Sequence, residues 1–182
     1  MSEKGLTGHI LIIIIVMSGP PAIRTISSGV LEGCTSLTSV TIDEGTAVID
    51  SYVFKGCKSL TELYIPRNVQ EIDLEALLGL SSLTKITVSP NNKVFKEHEG
   101  VPYRYDKNYD VYYLEHYPSM KESTTYNVID KTHWIDNLAF INNKFLVTLN
   151  LPLCIDDVGD SYGPLVIRAS RLSLCPKGMS IS

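Results

Sequence analysis

Four cysteines and four histidines carry the most reactive and metal-binding chemistry in this sequence. Cys34, Cys57, Cys154 and Cys175 make no CxxC pair and no zinc spacing. Four cysteines in 182 residues are also too few for a disulfide scaffold. His9, His98, His116 and His133 form no HExxH or other ligand spacing. His98 stands among acids in Lys96-Glu97-His98-Glu99, a run that reads as a solvated charged turn rather than a metal site. No GxSxG, P-loop or GxGxxG is present. The acid pairs Asp43-Glu44 and Asp156-Asp157 are chain neighbours in turns and point different ways. A polysaccharide-processing enzyme on a stacked coil would need Asp or Arg in register on one face of successive coils, and the sequence displays no such ladder. No catalytic residue, metal ligand or cofactor is therefore assigned.

The aromatic residues are the other chemical signal. Ten tyrosines stand against four phenylalanines and one tryptophan. They cluster at Tyr103, Tyr105, Tyr109, Tyr112, Tyr113, Tyr117 and Tyr126. Tyr103-Arg104-Tyr105, the polar Asp106-Lys107-Asn108 and Val111 to Leu114 predict a β-hairpin. An aromatic face with hydroxyl edges suits protein or glycan contact, which makes Tyr103, Tyr105, Tyr112 and Tyr113 binding candidates. Alternating tyrosines also pair well across strands, so packing within the hairpin is the competing reading.

These residues are positioned by a repeat. Ile26, Ile49 and Ile72 recur every 23 residues, as do Leu37, Leu60 and Leu83, and Ile42, Ile65 and Val88. A fixed apolar period of this length is the signature of a solenoid, in which each unit buries its anchors only by stacking on the next. The tract Leu60, Leu63, Ile65 ends in apolar-polar alternation and predicts a strand with one buried face. Its free positions form a mixed polar strip of Ser39, Thr41, Glu62, Tyr64, Lys85, Thr87, Thr148 and Asn150. Within it Glu62, Tyr64, Lys85 and Thr87 are further binding candidates, with a plain solvated sheet face as the alternative. Gly33, Gly56 and Gly79 share one site, predicting φ > 0 or a close approach between coils. Cys34 and Cys57 share the next site with Leu80. A disulfide or metal pair between coils is conceivable there, but the leucine points to buried free thiols acting as apolar residues.

Phe54-Lys55-Gly56-Cys57, Leu60, Leu63, Ile65-Pro66, Val69 and Ile72 resemble the BspA-like leucine-rich repeat, a 23-residue variant. Asn91-Asn92, Gly100-Val101, Tyr103, Asp106 and Tyr117-Pro118 are similar to a segment that interrupts repeats in that family. Leu146, Leu149 and Leu151-Pro152 repeat Leu60, Leu63 and Ile65-Pro66 at an offset of 86. The resemblance implies a mainly β solenoid, a right-handed leucine-rich-repeat coil with short strands and an inserted β-hairpin. It would span residues 23–163 and be interrupted at about 91–125. It further implies a non-enzymatic interaction module, cell-surface or secreted, acting in adhesion or host-protein binding. Its partners would be protein, including host extracellular matrix, or glycan. A structural fragment of a longer repeat protein with no ligand of its own is the alternative.

The ends lie outside that pattern. Residues 1–22 hold the apolar run Ile10 to Met17, too short for a bilayer span of roughly 20 residues. It reads as a strand capping the solenoid, which is compatible with a cytoplasmic chain, or as a short secretory signal. Residues 164–182 form a non-repeat tail. The formal net charge is −4 and no basic stripe exists, which argues against nucleic acid. Oligomeric state is not legible.

Overall fold

The structure is a computed structural model that describes residues 24–156 with their side chains. It also describes the backbone of Leu11–Ile15, Asp157–Val158 and Val166–Ala169. Among the described residues, fifteen strands follow in chain order. The first seven are β1 (Leu11–Ile15), β2 (Thr25–Ile26), β3 (Leu37–Ile42), β4 (Val48–Ile49), β5 (Glu62–Ile65), β6 (Glu71–Ile72) and β7 (Lys85–Val88). An antiparallel excursion holds β8 (Phe95–His98), β9 (Val101–Asp106) and β10 (Val111–Leu114). Then come β11 (Thr125–Asn127), β12 (Thr132–Ile135), β13 (Thr148–Leu151), β14 (Asp157–Val158) and β15 (Val166–Ala169). The helical content among described residues is one 3₁₀ turn, Leu74–Leu77.

The chain is a mainly β solenoid of stacked coils. Its longer strands pair parallel as β1-β3, β5-β7 and β11-β13-β15. Its two-residue strands pair parallel as β2-β4-β6 on a second ladder, continued later by β10-β12-β14. The 23-residue period appears directly in the registers. Leu63 lies over Ile86 and Ile65 over Val88, while Ile26, Ile49 and Ile72 form one column. Parallel strands sit about 4.8 Å apart, so like anchors touch like and exclude water along the whole stack. In β5 the exposure alternates, with Leu63 and Ile65 buried and Glu62 and Tyr64 exposed. Full burial of one such side chain stabilises by about 1.5–3 kcal/mol.

The glycine column explains how coils approach. Gly33, Gly56 and Gly79 have φ of 75°, 75° and 76°. A Cβ on Gly79 would lie 3.2 Å from the Gly56 nitrogen. Both reasons for glycine therefore apply at that site, a left-handed backbone and a near contact with the coil before. Cys34, Cys57 and Cys154 are free thiols. Cys57 is wholly buried, its Sγ donates to the Leu31 carbonyl at 3.2 Å, and burial pushes the thiol up to about 11. Cys175 lies outside the described residues.

Buried side chains form two clusters, one from Ile26 to Phe95 and one from Val101 to Leu151. The excursion joins them, because β8 gives Phe95 to the first and β9 gives Val101 and Tyr103 to the second. It is also more than a hairpin. The strand β10 takes a rung of the short ladder beside β12, with Leu114 opposite Ile135. The Asp136 N–H donates to the Leu114 carbonyl, as Asp73 N–H donates to Ile49 and Asp50 N–H to Ile26. The residues between Asn91 and Tyr117 thus return to the coil and complete part of a turn.

Candidate functional site

Two surfaces collect the residues that sequence reasoning selected, and a third arrangement lies in the interior. The first surface is the outer face of the longer ladder. There β5 and β7 set Glu62 beside Lys85 and Tyr64 beside Thr87. The Lys85 Nζ lies 3.1 Å from Glu62 Oε1, and Tyr64 is 42% exposed. Ser39 and Thr41 continue the exposed face on β3. On β13, Asn150 donates to the Asn127 side chain at 2.7 Å. These are exposed or half-buried groups held in register by buried neighbours, and a surface ion pair of this kind adds under about 1 kcal/mol to stability.

The tyrosine cluster divides. Tyr103 is fully buried, its hydroxyl shares a 2.9 Å hydrogen bond with Tyr126, and burial pushes both phenols far up. Tyr117 packs edge-on to Tyr126 and against Phe140. Tyr103 therefore offers nothing to a partner, contrary to its selection as a binding residue. Alternation along β9 turns it inward with Val101, and a phenol whose hydroxyl finds a buried mate is a stable core residue. Tyr112 is half-buried, stacked at 5.0 Å against Tyr105 and edge-on to Tyr103. Tyr105 donates to Asp110, which is paired with Lys131, so its hydroxyl is engaged at the hairpin tip. Tyr113 faces the other way and lies under the Arg104 guanidinium, whose carbon is 4.2 Å from the ring centre.

That last contact opens the second surface, on the short ladder. A groove of about 180 Å³ is lined by Leu74, Arg104, Tyr113, Glu115, Trp134 and Asp136. Tyr113 is the register partner of Trp134 on β12. Trp134 is 44% exposed. Arg104 Nε donates to Glu115 Oε1. Asp136 Oδ1 accepts from Leu138 N–H at 2.9 Å. Burial raises the Glu115 carboxyl, and the Arg104 partner opposes that shift.

The carboxylates here also correct one expectation. Asp50, Asp73, Glu115 and Asp136 each follow an anchor of the short ladder, so acids do stand in register across successive coils. The signal was present in Ile49-Asp50, Ile72-Asp73 and Ile135-Asp136, one residue past the repeating anchor. Their local work is structural: Asp73 accepts from Glu75 N–H and Asp136 from Leu138 N–H, closing the turn after the strand. Glu115 is the exception, being longer and paired to Arg104.

The interior arrangement is a small cavity at the seam between the first coils and the excursion. It has about 20 Å³ and is lined by Ile65, Ile72, Phe95, Pro102, Glu115 and His116 among others. His116 is buried, its Nε2 has no hydrogen-bond partner, and loss of solvation pulls its pKa down to about 4. It is a neutral core histidine. No group of His, Cys, Asp or Glu among the described residues has a metal-holding geometry. No described helix is long and apolar enough to cross a membrane.

The stacked registers now have a counterpart among known families. Residues 14–99 match the family described as the BspA type leucine rich repeat region (6 copies). Over that stretch the chain is similar to that family. The solved structure of a leucine rich cell surface protein from Faecalibacterium prausnitzii A2-165 matches with a TM-score of 0.73 and 23% identity, over 87% of this chain and 41% of that one. The pneumococcal vaccine antigen PcpA matches with a TM-score of 0.66 and 23% identity, over 81% of this chain and 35% of that one. At such identity the likeness is one of fold alone. This chain spans less than half the length of either neighbour. No curated protein matches it.

Proposed function

We propose that this BspA-type solenoid is a protein-interaction module of a cell-surface or secreted protein, and that the outer face of β5 and β7 meets the partner. The observation that carries the reading is the register of Glu62 with Lys85 and Tyr64 with Thr87 on that face. Both signs of charge and an aromatic ring are displayed there on a backbone anchored by Leu63, Ile65 and Ile86, which are buried. Side chains fixed in this way lose little freedom when a partner docks. An exposed tyrosine among charges is a common anchor for such contacts. The surface location draws on the Faecalibacterium neighbour, whose own description is a cell surface protein.

The test is capture of purified extracellular-matrix proteins by the immobilised chain. A Glu62→Ala, Tyr64→Ala double variant should lose about tenfold in affinity, roughly 1.4 kcal/mol, with an unchanged unfolding midpoint. Equal capture by the variant and the wild-type chain would remove this face from the proposal.

A further inference from the structure

We propose that the groove between β9, β10 and β12 is a carbohydrate subsite that takes one pyranose unit of a glycan. Trp134 is the chain's single tryptophan, and it stands nearly half exposed beside Tyr113. The core does not require aromatics there. The same ladder position is Thr25, Val48 and Glu71 in the earlier coils. Arg104 covers the Tyr113 ring, leaving the indole as the open stacking surface in the groove. The C–H face of a sugar ring packs on such a surface while its hydroxyls stay at the polar rim. The rim supplies both kinds of hydrogen-bonding group. Among the described residues, Glu115 Oε2 and Asp136 Oδ2 accept no protein hydrogen bond, while their other oxygens are tied to Arg104 and to Leu138 N–H. Arg104 keeps terminal N–H groups beyond the one used by Glu115. Acceptors and donors are thus held in place before a ligand arrives, which lowers the cost of ordering them.

Other occupants fit less well. A peptide seeking a sheet edge finds none, because β10 is paired on one side by β9 and on the other by β12. A cationic headgroup would meet the Arg104 charge, and an anionic one would meet Glu115 and Asp136. A volume of about 180 Å³ suits a single ring rather than an extended chain segment. This site is on the short ladder and stands independently of the β5–β7 face proposed above.

Because Trp134 is the only indole, intrinsic fluorescence reads the groove directly. The full chain is titrated with cello-, manno- and chito-oligosaccharides at millimolar concentration. A saturable change in emission with at least one of them is expected, and calorimetry on Trp134→Ala should show that binding lost by tenfold or more. Trp134→Phe should keep partial affinity, and Tyr64→Ala, on the other face, should bind as wild type. Circular dichroism confirms that each variant is folded. No emission change with any oligosaccharide, or equal affinity in a folded Trp134→Ala chain, overturns the proposal. Release of reducing ends from the bound oligosaccharide would overturn it too, by making Glu115 and Asp136 catalytic rather than binding groups.

Discussion

His116 is a buried titratable residue whose Nε2 has no hydrogen-bond partner. An unfolded histidine titrates near 6.5, whereas His116 in the fold titrates at about 4 because burial penalises its charged form. Between those values the unfolded chain holds a proton that the folded chain does not. Stability is therefore fully present above pH 6.5 and falls as the pH drops toward 4, by about 3 kcal/mol from this residue. Glu115 beside it works in the opposite sense, since its raised pKa lets the folded chain take a proton first. Comparing His116→Phe with the wild type cancels that contribution. Urea unfolding at pH 7 and pH 4.5 should show the wild type losing more stability than the variant. A parallel loss in both would mean His116 is not held neutral. The tyrosines teach a related point at this scale. Tyr103→Phe leaves the Tyr126 hydroxyl its weaker bond to the His98 carbonyl at 3.3 Å, whereas Tyr105 changes only a tip contact. Spacing alone could not separate them, because both lie on the same face of β9 by alternation and the inward turn is set by where the strand enters the core.

Among elements, the β8–β9 turn decides how the excursion rejoins the coil. Gly100 has φ of 78°, and the Ile86 N–H donates to its carbonyl, so the turn docks against β7 where a parallel strand would otherwise continue the ladder. A Cβ on Gly100 would stand 2.9 Å from Lys85 Cβ, whereas one on Gly33 would meet nothing within 4 Å. Gly33→Ala should thus cost about 1 kcal/mol, from its φ alone. Gly100→Ala should cost about 2–3 kcal/mol, because the strain and the collision add. Denaturant midpoints of the two variants measure the difference, and equal midpoints would show that the turn does not press on β7. Asn92 anchors the start of the same element. Its Nδ2 donates to the Pro66 and Val69 carbonyls and its Oδ1 accepts from Val94 and Phe95 N–H groups. Asn143 makes the same four-fold clamp, to Pro118, Ser119, Phe145 and Leu146.

At the scale of the molecule, the two buried clusters behave as stacked neighbours rather than one core. Each coil contacts only adjacent coils, so stability is close to a sum of local and nearest-neighbour contributions. Leu63→Ala empties a fully buried site in the first cluster and should cost 2–5 kcal/mol there. Hydrogen exchange should then rise across residues 26–88 before it rises across 125–151. Equal rises in both would mean that the seam at Phe95, Gly100 and Ser119 couples them into one unit. That seam has real contacts, including the Ser119 hydroxyl donating to the Leu80 carbonyl at 2.5 Å and Met120 N–H donating to Leu83.

What the sequence determined by itself is the repeat. Apolar anchors such as Leu63 and Ile86 at a constant spacing leave one way to bury every unit, which is to stack them, and glycine at 33, 56 and 79 specifies the turn that lets them stack. Tertiary structure alone decided which groups meet across coils. Arg104, Glu115, Trp134 and Asp136 come from three strands and their turns, and no local pattern links them. The physical reason is that periodicity reports the side of a strand a residue occupies, while a groove depends on how an irregular excursion is laid against the regular coil. The same cause sent Tyr103 inward and set Tyr113 beside Trp134.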